Sequence, residues 1–213
     1  MGKQISASEK LFLSAIAVLG WFALAAQFYL LLSNRVTSVP EAILRYFTFF
    51  TILTNILVAV CSTTLLVSPA SRWGQYFSRQ TVRAAITIYI LVVGAVYNSI
   101  LRFLWAPQGM QQLVDELLHT AIPLLFIFYW IIFVRKDQLQ WKNILNWLIY
   151  PLVYFIVIIV RGPFADYYPY PFVNVRELGY PTVFLNSALL TLAFGVISLL
   201  FVGIGKMTAK KTA

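Results

Sequence analysis

Apolar positions along this chain form six long runs, at about 11–32, 43–67, 84–104, 113–134, 143–160 and 182–204, separated by short polar stretches. Runs of about 18 or more such residues mark helices that can cross a hydrocarbon core of about 30 Å. No stretch between them is long enough to hold a further domain, and no repeat stands out. The pattern predicts an all-α integral membrane protein, a single bundle of six transmembrane helices over residues 1–213. The first run is too long for a signal peptide and lacks the small-residue cleavage pattern after it, so it is predicted to be a retained helix.

Composition agrees with the pattern. The chain is 61% hydrophobic and 11% charged, against about a quarter charged in a soluble domain. Cys61 is the only cysteine and His119 the only histidine, which excludes an internal disulfide and zinc-finger or zincin spacings. There is no Gly-rich phosphate loop and no dinucleotide fingerprint. No cofactor and no metal are expected. The net charge of +9 is read as membrane topology, with no nucleic-acid partner.

The basic residues set an orientation. Lys3, Lys10, Arg72, Arg79, Arg83, Arg135, Lys136, Lys142, Lys206, Lys210 and Lys211 fall on one side, eleven in all. Arg35, Arg45, Arg102, Arg161 and Arg176 make five on the other. The positive-inside rule then places both termini in the cytoplasm. Glu41, Asp115, Glu116, Asp166 and Glu177 all fall on the outer side.

With that topology, polar residues gather at one depth. Thr48 lies about six residues into the second run, roughly 9 Å below its outer end at 1.5 Å per residue. His119 lies at a similar depth in the fourth. Asn98 and Arg102 sit where the third run leaves outward, Arg161 where the fifth does, and Asn186 about one turn into the sixth. The inner halves show almost nothing polar beyond Thr, Ser and Tyr. The expectation is a polar pocket in the outer half, roofed by "RGPFADYYPYPFVNVRELGYP". On a continuous helix Thr48, Thr51 and Asn55 share one stripe. Asp115 stands i, i+4 to His119 and Glu116 i, i+3, so the two carboxylates compete for the imidazole. A plainer account exists for each residue. A membrane Thr commonly bonds the carbonyl one turn back, acidic residues favour helix starts, and Arg161 can snorkel to headgroups.

Three segments carry a resemblance: "YFTFFTILTNIL" in the second run, "LLHTAIPLL" in the fourth, and "YPLVYFIVIIVRG" followed by "YPYPF". Over nearly the whole chain, in the same order, this resembles the bacterial branch of the androgen-induced membrane hydrolases, the family of androgen-dependent TFPI-regulating protein. Animal members of that family are six-helix threonine hydrolases that cleave fatty acid esters of hydroxy fatty acids. The resemblance implies Thr48 in "YFTFF" as nucleophile and His119 in "HTAIP" as base. It also implies a lipid or fatty-acyl ester as substrate and a bacterial plasma membrane as location. The sequence departs from animal members in having Thr51 and Asn55 on the second run and only Ala121 and Ile122 between Thr120 and Pro123.

The chemistry is consistent with these residue types. A Thr hydroxyl needs a base to take its proton, and a neutral His can do so and later protonate the leaving alcohol. Asp115 would orient the ring, as a carboxylate does in a triad. Asn55, Asn98 or Arg102 would supply oxyanion donors, since amides inside a helix are already bonded. Arg102 or Arg161 would hold a lipid carboxylate. Thr51, one turn deeper, is the rival nucleophile. Two other functions stand beside hydrolysis: a proton-linked transporter or channel using Asp115 and His119, and a non-catalytic lipid-binding or scaffold protein.

Overall fold

The computed structural model describes residues 5–210, with side chains as far as 208. Lys3 and Lys211, counted above among the basic residues, lie outside that range. Every regular element among the described residues is helical, and six helices are long and apolar enough to cross a membrane: Ala7–Ser33, Phe50–Val67, Gln80–Phe103, Gly109–Phe133, Asn143–Ala165 and Val175–Thr208. This is the expected all-α, six-helix membrane protein. The spans fall into two compact units, Met1–Arg135 with four and Lys136–Ala213 with two.

In the first unit, α1 (Ala7–Ser33) packs on α3 (Phe50–Val67), α3 on α5 (Gln80–Ser99), α5 on α7 (Ile122–Phe133), and α7 back on α1. Chain neighbours are spatial neighbours, as short loops require. Short helices α2 (Val39–Tyr46), α4 (Arg72–Phe77) and α6 (Gly109–Glu116) lie between the spans. Ser38 caps α2 by accepting from the Glu41 amide, and Pro40 occupies its first turn, where a missing N–H is harmless. The second span does not run unbroken from 43 to 67. It stops at Tyr46 and restarts at Phe50. Aromatic and β-branched residues fill "YFTFF" and favour a helix weakly. Both the amide and the hydroxyl of Thr48 turn onto the Arg45 carbonyl, at 3.0 and 2.6 Å. Phe49 then goes extended and restarts the helix without a side-chain cap. Irregular backbone at membrane depth survives where protein covers it, and Thr48 is only 6% exposed.

The fourth span carries a second irregularity. Between α6 and α7, residues Leu117–Ala121 form a π-turn, followed at once by Pro123. Such wide turns recur at functional sites.

The second unit is a hairpin of α8 (Asn143–Ala165) and α9 (Val175–Lys210), with a 3-10 turn at Pro171–Val173 and a non-helical Gly179 near the start of α9. Ile158, Val173 and Val183 form its core, with Tyr154, Phe155 and Tyr168 packed against them. Asn186 donates to the Phe172 carbonyl at 2.9 Å and so ties α9 to the turn. Gly162 leaves room for Tyr168: a Cβ there would lie 2.1 Å from a ring carbon. Gly162→Ala should therefore destabilise this hairpin by about 1–3 kcal/mol, the usual cost of overpacking. Unfolding of the reconstituted protein in a denaturing detergent checks it. In a Tyr168→Ala background the same substitution should cost nothing further.

Candidate functional site

His119 sits in the π-turn, mostly buried. Its Nδ1 lies 2.9 Å from the Asp115 main-chain oxygen and 3.4 Å from Asp115 Oδ1. Both neighbours accept, so the neutral ring carries its proton on Nδ1 and leaves the Nε2 lone pair available. Among the described residues nothing hydrogen-bonds Nε2; the ring's polar and stacking partners are Asp115 and Tyr97. One face of the imidazole stacks on Tyr97, with centroids 4.0 Å apart and planes 13° from parallel. The Tyr97 hydroxyl donates to Asp115 Oδ2, and Trp105 Nε1 donates to the same oxygen at 3.3 Å. The carboxylate is buried and is thus held by donors from α5, from the loop after it, and from the imidazole.

Glu116 does not compete for the histidine. It grips Arg102 with both oxygens, at 2.7 Å each. Arg102 Nε donates to Asn98 Oδ1 at 3.0 Å, its Nη2 to Thr120 Oγ1 at 3.2 Å, and its guanidinium lies 5.2 Å from the centroid of Tyr97. Helix spacing alone could not choose between Asp115 and Glu116; the approach of Arg102 decided it. This two-pronged pairing also commits Arg102, which was expected to offer itself to an oxyanion or a lipid carboxylate.

Both asparagines donate to backbone carbonyls. Asn55, fully buried, donates to the Thr51 carbonyl at 2.9 Å and to the Leu118 carbonyl at 3.1 Å. Asn98 donates to Gly94 at 2.8 Å and to the His119 carbonyl at 3.3 Å. Neither amide is an idle donor waiting for an oxyanion.

Thr48 is brought to the break between α2 and α3, and no hydrogen bond joins it to His119. The expected stripe of Thr48, Thr51 and Asn55 does not hold, because Thr48 is outside the helix; only Thr51 and Asn55 share α3. The break gives α3 an N-terminus next to Thr48, and the helix dipole puts positive potential there. Arg161, half-buried on α8, belongs to the second unit.

A polar pair and a chain of three polar residues escaped the sequence reading. Gln111 donates to Gln27 at 2.8 Å, linking α6 to α1. Toward the far end of the unit, Arg83 donates to the Tyr129 hydroxyl at 3.0 Å, and that hydroxyl donates to Glu9 at 3.4 Å. Buried Cys61 and Ser62 lie on α3. Arg83 and Glu9 thus meet the Tyr129 hydroxyl from the first turns of α5 and α1. Arg83 had been counted in a loop because the apolar run begins at 84, but α5 starts at Gln80 and draws it in. Set against models of known families, curated proteins and solved structures, the chain matches none.

Proposed function

We propose that this protein is an intramembrane hydrolase of lipid esters, with Thr48 as nucleophile and His119 as general base. One observation carries the reading: a buried carboxylate and a main-chain oxygen orient the single imidazole so that Nε2 is left unpartnered, the arrangement a general base needs. The Thr48 oxygen attacks the ester carbonyl carbon and its proton passes to Nε2. The tetrahedral intermediate collapses, the alcohol leaves with that proton, and an acyl-threonine remains. Water, deprotonated by the same nitrogen, releases the acid and restores Thr48. Positive potential at the start of α3 favours the developing oxyanion. Nucleophile–base contacts commonly tighten only with substrate seated, so Thr48 would leave the Arg45 carbonyl on binding. Fatty acid esters of hydroxy fatty acids, the substrate class of the family the sequence resembles, are the first to try. The outer half of a bacterial plasma membrane is the proposed location, both termini being cytoplasmic.

A lipid-like fluorophosphonate tests this directly. The purified protein should be labelled, the modified residue should map to Thr48, and His119→Ala should lose the label. Mapping to Thr51 would transfer the nucleophile's role one turn deeper. A wild-type protein that takes no label and cleaves no lipid ester would overturn the proposal. Proton-linked transport, the second reading, draws on the chain Glu9–Tyr129–Arg83, which links ionisable groups on three helices by hydrogen bonds. Substrate-dependent proton flux into liposomes, without ester cleavage, would favour it.

A further inference from the structure

The π-turn Leu117–Ala121 leaves two carbonyls without their α-helical partners. The Ile122 amide bonds to Leu117, five residues back. The Leu118 oxygen has thus lost its α-helical donor, and its π-helical donor would be residue 123, which is a proline without an N–H. The same proline removes the α-helical donor of the His119 oxygen. Buried carbonyls without partners are costly, and both are in fact satisfied from other helices. Asn55 on α3 takes the Leu118 oxygen and Asn98 on α5 takes the His119 oxygen.

The fit is close on both sides. The Asn55 amide gives its hydrogens to two carbonyls while its own Oδ1, buried, has no partner. Gly94, one turn before Asn98, lets α5 come in: a Cβ there would lie 3.1 Å from the His119 oxygen.

We propose that Asn55 and Asn98 are positioning residues that hold the π-turn open and thereby fix the proton of His119 on Nδ1. They act through the turn and touch no reacting atom. Without them the Ile122 amide gains by moving to the Leu118 oxygen. The turn then closes toward an α-helix and the angle between Asp115 and His119 changes. The inference deepens the hydrolase reading by assigning the residues that set its base, and its catalytic consequence rests on that reading.

The chain has one histidine, so a sample labelled with ¹⁵N-histidine reports a single ring. Wild type in bicelles at neutral pH should show a protonated Nδ1 and a pyridine-like Nε2. Asn55→Ala and Asn98→Ala should each shift this toward the Nε2-protonated form that free histidine prefers. Because a stranded carbonyl can prevent folding, the decisive variant is the triple Asn55→Ala, Asn98→Ala, Pro123→Ala, in which residue 123 supplies an amide and every carbonyl can be satisfied within an α-helix. Pro123→Ala alone should keep the wild-type pattern. In the triple variant the pattern should be lost, and kcat per titrated site should fall ~10²-fold with KM little changed, the scale of a misplaced acid–base group. A folded variant lacking either asparagine that keeps the Nδ1-protonated ring would overturn the inference. The ring measurement needs no substrate. A wild type that cleaves no ester would remove the proposed function while this test still reads out.

Discussion

Thr48→Ala and His119→Ala should each lower lipid-ester hydrolysis by at least ~10³-fold while leaving the helical content unchanged, and the double variant should be scarcely worse than either single one. Nucleophile and base act as a unit, so removing the second after the first removes little more. Hydrolysis of a fatty acid ester of a hydroxy fatty acid by purified, reconstituted protein is the measurement. Thr48→Ser should retain turnover, because a primary hydroxyl can occupy the same position. Thr48→Ala at the wild-type rate would leave Thr51, buried on α3, as the nucleophile. Folding should survive the Thr48 change better than a helix-interior position would suggest. The Thr48 amide, which remains in alanine, also bonds the Arg45 carbonyl.

Asp115 should separate two roles that a triad carboxylate usually combines. In a triad whose carboxylate alone fixes the tautomer, loss of its charge costs about 10⁴-fold. Here the Asp115 main-chain oxygen, 2.9 Å from Nδ1, is closer than the carboxylate at 3.4 Å. It remains in every substitution. Asp115→Asn should therefore lower kcat only about 10–10²-fold, with the ring tautomer kept. Asp115→Leu should be worse for stability than for orientation. It strands the buried Tyr97 hydroxyl, at a cost of about 1–3 kcal/mol, while the exposed Trp105 loses one acceptor. Thermal unfolding alongside kcat distinguishes the two effects. A 10⁴-fold loss in Asp115→Asn would show that the carboxylate, rather than the main chain, sets the ring.

How much of this was legible follows from the range over which each interaction acts. The six spans could be read directly, because lipid leaves the backbone no hydrogen-bond partner but itself and so demands long apolar helices. The contact Asn98–Arg102 could also be read, and Asp115–His119 as one of two open pairings, since i, i+4 spacing brings side chains together along a helix. Arg83 was missed because the hydropathy pattern locates the apolar core of a span but not its first turn.

What the tertiary structure decided lies where local rules allow two answers. "YFTFF" is as apolar as a helix and can be one; the turn at Thr48 wins because both of its donors reach the Arg45 carbonyl and surrounding protein covers the break. Asp115 and Glu116 are both within reach of His119 along the helix. Arg102 claims Glu116 and leaves Asp115 to the ring. Pro123 marks a disturbance in the fourth span without saying how the freed carbonyls are met. That answer comes from Asn55 and Asn98, 63 and 21 residues away from the carbonyls they bond. Helix spacing determines neighbours within a few residues, and partners at such separations are chosen only when the helices pack.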